Sequence, residues 1–433
     1  MLRIFFRTHF LSSLIALTLL LTAAARGQER PPLGFAEALE IAAERSQALV
    51  AQEAAAAAAR DRAIAAAAGP DPVLTAGIDN LPVDGPDAFD VGNDFMTMRS
   101  IGFMRDLTRG SRRDLRSARF EREAEAADAE RSLALADLQR ETAVAWLGRY
   151  HGERMREVLA MQRVEGVLQV DAADVAYRSG LGAQVDVFSA RSALAALDDR
   201  IAAADRDVEI ASIRLARWIG DAAARPLAEL PAMDAVPIEA ANLETELAHH
   251  PMLAVLAKRE EVARAEADVA RADKRPDWSV AVMYSLRGAD FSDMVSVSVS
   301  RPLQWRQRDR QDRELAASLA LAESARAERE EETRAHLAET LEVVRAWQAN
   351  CARLERYAGS LLPLASERTG AAVAAYRGGS GTLEAVLDAR MNEIDVRLDE
   401  LALRQETAEL WAALEYLIPV GAGESAHGVD HGT

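Results

Sequence analysis

The sequence contains an internal repeat, and this feature constrains the fold more than any other. Residues 176–191 read AYRSGLGAQVDVFSAR, and residues 375–390 read AYRGGSGTLEAVLDAR. Pro70-Asp71 and Pro276-Asp277 are a second matching pair. A chain that repeats on this scale builds two copies of one supersecondary unit. The order predicted for each half is a helix, a short non-helical insert, a very long helix, a glycine turn and a returning helix.

Long helices are predicted for most of both halves. Alanine, arginine and glutamate dominate tracts with few prolines or glycines, a composition that favours closely packed helices. Little would stop a helix between about residues 113 and 177, which at 1.5 Å per residue gives a rod of roughly 90–100 Å. Pro363 interrupts the counterpart in the second half and is expected to bend it. The alanine-rich residues 51–68 are compatible with a helix and with low-complexity disorder.

The inserts have the alternating pattern of β-strands. In residues 277–287 and 294–302, apolar side chains alternate with small or polar ones, mostly serines. The apolar face consists of Trp278, Val280, Val282, Tyr284, Val295, Val297 and Val299. A weaker strand pair is predicted at about residues 72–80 and 95–104. Alternation alone fits a lipid-facing strand pair and a half-buried soluble hairpin equally well.

Topology separates these two interpretations. Four strands in one chain are too few to close a barrel, and an open sheet has edges that lipid cannot satisfy. A membrane location therefore requires several copies of the chain, and three copies would supply about twelve strands. The predicted fold class is mainly α with a small β part. Duplicated long-helix hairpins would form a trimeric helical barrel that continues into a 12-stranded outer-membrane β-barrel, with four strands from each protomer.

Composition limits the remaining possibilities. The formal net charge of −18 argues against a nucleic-acid partner, because binding phosphates requires a basic surface. Cys351 is the only cysteine, so no intrachain disulfide is predicted. The first 25 residues have a positive start, a short apolar run and Ala23-Ala24-Ala25, the pattern of a cleaved signal peptide. Without a cysteine near that site, no lipid attachment is expected.

The predicted organisation follows from the signal, the repeat and the tail. The segments are a signal peptide (1–25), an N-terminal segment (26–33), a first repeat (34–220) with strand pair 72–104, a linker (221–241), a second repeat (242–419) with strand pair 277–302, and a flexible histidine-containing tail (420–433).

Taken together, these features resemble the TolC-type outer-membrane efflux family. The resemblance covers Gly34 to Pro419 and depends on the duplicated plan, the segments RPDWSVAVMYSL and VSVSVSRPL, and the two tyrosine-glycine turns. It implies a homotrimer in the lipid of the outer membrane whose helices form a tunnel in the periplasm. The implied partners are a periplasmic membrane-fusion adaptor and an inner-membrane efflux pump, of the RND type. The implied function is a passive duct and not an enzyme, with no cofactor.

The resemblance also assigns roles to the glycine turns. It implies that adaptor hairpins dock at the turns, whose residues are Gly180, Leu181, Gly182, Gly379, Ser380, Gly381 and Thr382. A helical hairpin needs glycine even without a partner, so the duplication alone does not assign the docking role. The resemblance implies a periplasmic gate formed by Asp186, Glu384, Asp388, Arg178 and Arg377. Asp388 matches a gate position of the family. The companion expected three residues earlier is Ala385, for which Glu384 is an imperfect substitute, because it points about 100° away on the helix. An ordinary solvated helix face is the alternative for all five.

Two features suggest metal cargo. His427 and His431 flank Asp430 in the tail, a type of tract that binds transition metals. Met96, Met98 and Met104 share one parity of the second predicted strand, and thioethers suit soft ions. Residues 98–118 also resemble the heavy-metal branch of the family. A disordered tail and methionine as a filler remain the alternatives. The remaining functional alternative is a periplasmic coiled-coil adaptor or scaffold without a membrane barrel.

Overall fold

The computed structural model describes residues 31–236 and 250–419. The predicted signal peptide, most of the segment 26–33, the end of the predicted linker, and the tail with His427 and His431 lie outside the described residues.

Helices make up most of the described chain, as the sequence predicts. They are α1 Phe35–Arg45, α2 Gln47–Ala67, α3 Gly110–Arg178, α4 Gln184–Ile219, α5 Pro251–Asp273, α6 Gln311–Arg356, α7 Leu362–Arg377 and α8 Leu383–Glu415. The strands are β1 Val73–Asp79, β2 Met98–Leu107, β3 Trp278–Leu286 and β4 Met294–Ser300. Both halves therefore follow the same plan of helix, strand pair, long helix and returning helix. Among the described helices, none combines the length and the apolar composition that crossing a bilayer requires.

Local chemistry explains where several helices begin. Ser46 separates α1 from α2, and its hydroxyl accepts a hydrogen bond from the Leu49 N–H at 3.3 Å. The His250 Nδ1 caps α5 in the same way by accepting from the Met252 N–H at 3.2 Å. A side-chain acceptor at this position satisfies an N–H that the first turn of a helix leaves unpaired. The alanine-rich stretch is thus a capped helix.

The second long helix is interrupted close to Pro363. Residues Tyr357–Leu361 form a π-helical turn between α6 and α7, and Pro363 lies in the first turn of α7. Proline has no N–H to continue the helical ladder and its ring crowds the preceding turn, so the ladder changes register immediately before it. The predicted interruption is confirmed, and its form is a π-turn.

The four strands form one antiparallel sheet with the order β1-β2-β3-β4. Leu74 pairs with Phe103, which in turn pairs with Val282 on β3. Val282 pairs with Val297 on β4. This register places Leu74, Phe103, Val282 and Val297 side by side on one face, which is apolar except for Arg99 and Arg105 of β2. Val73 and the strand methionines lie on the opposite face. Strands β1 and β4 each have one edge without a partner strand among the residues that the structure describes.

The chain divides into two compact units, and each unit takes segments from both repeats. Within the described residues, one unit comprises 31–45, 139–235 and 347–412, and contains both glycine turns. Its core includes Trp146 and Leu147, which are fully buried, and Phe35 packs edge-on against Trp146 at 5.4 Å between ring centroids. The other unit comprises 46–138, 250–346 and 413–419 and contains the sheet.

Candidate functional site

Each glycine turn ends a long helix with the same hydrogen-bond pattern. Gly180 and Gly379 have φ values of +75° and +73°. The Gly180 N–H donates to Tyr177 O at 3.0 Å and the Leu181 N–H to Ala176 O at 2.9 Å. The equivalent bonds at Gly379 and Ser380 are 3.1 and 3.0 Å. This is a Schellman motif, which needs a left-handed residue that glycine adopts without strain.

The last glycine of each turn, Gly182 or Gly381, has a different role, which the sequence did not reveal. Gly182 and Gly381 have no positive φ, but their backbones pass close to the end of the preceding helix. A Cβ at Gly182 would lie 3.0 Å from the Ala176 Cβ, and one at Gly381 would lie 3.0 Å from the Ala375 Cβ. Each turn therefore requires one glycine because its φ value is positive, and another because a side chain at that position would contact the preceding helix.

The returning helices start with complementary halves of a capping box. At α4 the Asp186 carboxylate accepts a hydrogen bond from the Ala183 N–H at 3.0 Å. At α8 the Thr382 hydroxyl accepts from the Ala385 N–H at 3.2 Å. Ala183 corresponds to Thr382 in the repeat, and Asp186 corresponds to Ala385. Each repeat thus keeps one of the two capping interactions, and Asp186 and Thr382 stabilise helix starts whatever else they do.

The predicted gate residues do not form one cluster of ion pairs. Arg178 pairs with Asp174, one turn earlier on its own helix, at 2.7 Å. This ion pair lies within one helix and does not connect neighbouring helices. Glu384 and Asp388 lie one turn apart on α8 and are exposed, as is Arg377. An acidic strip on the surface of α8 is therefore present.

Other ion pairs, which the sequence did not reveal, join the two hairpins. Arg390 on α8 lies 3.3 Å from Glu165 on α3, and Arg200 on α4 lies 2.8 Å from Asp395 on α8. A buried apolar cluster supports the same contact; its members are Ala173, Val187, Ala190, Leu383 and Val386. The two turns thus belong to one packed pair of hairpins.

The two hairpins nevertheless differ in surface chemistry. The first exposes apolar side chains around its turn: Val175 is 66% exposed, Leu181 87%, Val185 64% and Phe188 58%. The equivalent positions in the second repeat are Ala374, Ser380, Glu384 and Leu387. One turn is therefore apolar on its outside, and the other is polar and acidic.

The sheet exposes its apolar face in the single chain. Every residue of the predicted lipid-facing set lies on this face, and Val295, Val297 and Val299 are 66%, 68% and 60% exposed. Leu74 and Phe103 extend the face onto β1 and β2 at 70% and 50% exposure. Arg99 and Arg105 of β2 are the charged residues on this face. An exposed face that is otherwise apolar over four strands marks a surface that is covered by another molecule.

The structure resembles solved outer-membrane channels over almost the whole chain. The outer-membrane channel OprN matches with a TM-score of 0.76 at 19% identity, over 88% of this chain and 89% of that one. The outer-membrane protein VceC from Vibrio cholerae matches with 0.74 at 20%, over 88% and 95%. The Campylobacter jejuni outer-membrane channel CmeC matches with 0.73 at 12%, over 90% and 87%.

This chain has the fold of an outer-membrane channel. The duplicated plan expected from the sequence is the plan of these structures. The sequence matches no protein-family model and no curated protein, so among the comparisons with known proteins only the comparison of three-dimensional structures finds this likeness.

The methionines occupy the sheet face opposite the apolar one. Met98 and Met104 lie on β2, while Met96 precedes that strand. Met283 and Met294 lie on the same face, next to serines of neighbouring strands. In residues 31–236 and 250–419, no group of three or more histidine, cysteine, aspartate and glutamate residues is placed to bind a metal ion.

Proposed function

We propose that three copies of this protein form a passive channel across the outer membrane, with the helical part in the periplasm. The observation that carries the proposal is the exposed apolar face of a four-stranded sheet whose two outer strands each have one edge without a partner strand in the described part of the chain. Lipid tails can cover an apolar face, but they cannot form hydrogen bonds with the free backbone N–H and C=O groups of an unpaired strand edge. Pairing β4 of one copy with β1 of the next satisfies the edges, and three copies give about twelve strands.

The polar face would then line the lumen. Ser279, Ser298 and Ser300 lie on it, as do the four strand methionines. Aromatic residues lie near both ends of the apolar face, with Trp278 at the helix end and Tyr284 toward the loop end. These two positions are six residues, or about 20 Å, apart along the strand, a spacing that suits two interfacial aromatic belts.

A coiled-coil adaptor or scaffold explains fewer of these features. In such a protein the sheet would have to be covered by soluble partner domains. The likeness to outer-membrane channels favours lipid as the cover, and export through a cleaved signal without lipidation is part of the proposal.

The partners in the proposal are a periplasmic membrane-fusion adaptor and an inner-membrane efflux pump, of the RND type. The adaptor would contact the glycine turns, which form a ring of six in a trimer. The apolar surface around Leu181 and Phe188 supports a partner that contributes apolar side chains at helical spacing. The second turn, with Ser380 and Glu384, would instead face the entrance, where Asp388 contributes to an acidic ring that attracts cations.

Soft metal ions are the proposed cargo class. The thioethers of Met98, Met104, Met283 and Met294 would face the lumen, and sulfur ligands suit Cu(I) and Ag(I). A deletion strain with unchanged tolerance to copper and silver would remove this part of the proposal and leave the channel itself intact.

The channel is tested with a matched pair of strand substitutions. Val297→Asp places a charge on the apolar face, and Ser298→Asp places the same charge on the opposite face of the same strand. We expect Val297→Asp to reduce the heat-modifiable trimer in outer-membrane fractions, because a carboxylate facing lipid costs up to about 2 kcal/mol, while Ser298→Asp leaves it unchanged. A soluble wild-type monomer, or equal behaviour of the two variants, would contradict the proposal.

A further inference from the structure

The loop between β4 and α6, residues 301–310, exposes large apolar side chains at the helix end of the sheet. Trp305 is 86% exposed and Leu303 is 70% exposed. We refer to residues 301–310 as the Trp305 loop. Hydrogen bonds order the loop: the Gln304 side-chain Nε2 donates to Asp273 O at 3.1 Å, the Trp305 N–H donates to Leu303 O at 3.0 Å, and the Asp309 and Arg310 N–H groups both donate to Arg306 O at 3.1 Å. An indole that an ordered backbone holds outward is positioned for an external contact.

The Trp305 loop is also basic, although the chain is strongly acidic. It contains four arginines and one acidic residue in a chain of net charge −18. Arg306, Arg308 and Arg310 are exposed and form no ion pair within the described part of the chain. The arginines that follow β2, in contrast, form ion pairs within the chain: Arg109 and Arg112 pair with Asp277 at 3.0 and 2.6 Å.

The adjacent helix does not explain these arginines. The Trp305 loop directly precedes the N-terminus of α6, where the helix dipole favours negative charge and disfavours cations. The first turn of α6 supplies the expected acids, Asp312 and Glu314. Three further cations without a carboxylate partner therefore point to an anion outside the chain.

The position of the Trp305 loop identifies the kind of anion. Ser300 at the end of β4 pairs with Ser279, next to Trp278. The guanidinium of Arg301 lies 5.1 Å from the centroid of the Trp278 ring. The loop thus begins where the exposed apolar face ends. In a protein that crosses a bilayer, this is the depth at which lipid tails give way to headgroups, and where tryptophan and arginine act as anchors.

We propose that the Trp305 loop binds the headgroup of an anionic phospholipid in the periplasmic leaflet. Trp305 and Leu303 enter the interface, and Arg306, Arg308 and Arg310 contact the phosphate and the anionic headgroup. The inference rests on the proposed function, which places the sheet in the membrane. The other candidate occupant is a second copy of the chain, and the experiment separates the two.

The test is quenching of tryptophan fluorescence by brominated lipid. The full-length protein is reconstituted into vesicles that contain equal fractions of brominated phosphatidylglycerol or brominated phosphatidylcholine. Comparison with Trp305→Phe isolates the signal of Trp305 from that of the other tryptophans. We expect the signal of Trp305, taken as the difference between wild type and Trp305→Phe, to be quenched at least about twofold more strongly by the anionic lipid, because each arginine near the surface favours it.

The arginines are tested with a triple variant and a charge-matched control. The triple variant carries Arg306→Gln, Arg308→Gln and Arg310→Gln, and should lose the preference for phosphatidylglycerol. The control carries the same Arg→Gln change at three exposed helix arginines, Arg131, Arg214 and Arg356. It should keep the preference for phosphatidylglycerol. Equal quenching by both lipids in the wild-type protein, or an unchanged preference in the triple variant, would overturn the proposal.

Trimer formation, and insertion into vesicles with conductance, are also measured, because they show which part of the argument is wrong if the lipid preference is not found. If the triple variant or Trp305→Phe no longer forms the trimer, the loop is a contact between copies and the lipid proposal is wrong. If the wild-type protein does not insert into vesicles or conduct, the proposed function fails. Normal insertion and conductance without lipid preference would refute only the lipid site.

Discussion

His151 lies on α3 with 2% of its surface exposed. Neither of its ring nitrogens has a hydrogen-bond partner in the described residues, and the ring packs against Tyr150 at 5.5 Å between centroids. Burial lowers the pKa of His151 to about 4, and the nearby Arg404 guanidinium adds to this effect. The folded protein therefore holds this histidine in its neutral form at a pH well above about 4.

The sign of the effect on stability follows from proton binding. Between about pH 6.5, the ordinary pKa of histidine, and pH 4, the unfolded chain binds a proton at His151 and the folded chain does not. The contribution of neutral His151 to the free energy of unfolding is complete above pH 6.5, and it is lost as the pH falls from 6.5 to 4. A pKa lowered from 6.5 to about 4 corresponds to a loss of about 3 kcal/mol at the acidic end.

The measurement is denaturant unfolding of the detergent-solubilised protein, followed by helical circular dichroism at several pH values. His151→Phe and His151→Gln both remove the titration, but they differ in packing and polarity. Because carboxylates elsewhere titrate in all three proteins, the difference between wild type and variant isolates His151. We expect both variants to lose less stability than the wild type between pH 6.5 and 4. Identical pH dependence in all three proteins would refute the reasoning.

The remaining predictions concern the turns. Gly180→Ala should destabilise the protein by about 1 kcal/mol in denaturant unfolding, because the residue has a positive φ; Gly370→Ala, within α7 and with open space at its Cβ, should stabilise it by up to about 1 kcal/mol. Asp186→Ala and Thr382→Ala should each cost about 1 kcal/mol in the same assay, and an unaffected midpoint would argue against the capping role. Asp388→Ala should raise single-channel conductance in planar bilayers, and unchanged conductance and cation selectivity would remove Asp388 from the gate.

The sequence by itself determined the repeated architecture. Helix-forming tracts, alternating strands and paired glycines are local signals that depend on a few neighbouring residues. They were sufficient to predict the strand pairs within a few residues, the helix interruption near Pro363, and the apolar set of Trp278 and Val297. The capping position of Asp186 is also readable from the sequence, since it lies three residues after the helix boundary.

Only the tertiary structure decided which residues meet. Glu165 and Arg390 are far apart in the chain, and no local pattern distinguishes them from many other charged helix residues. The size requirement at Gly182 depends on the distance to Ala176 across a turn, and the exposure of Trp305 depends on what the rest of the fold leaves uncovered. Burial of His151 likewise results from packing between helices distant in sequence. Long-range packing fixes these features, and one sequence contains no local record of it.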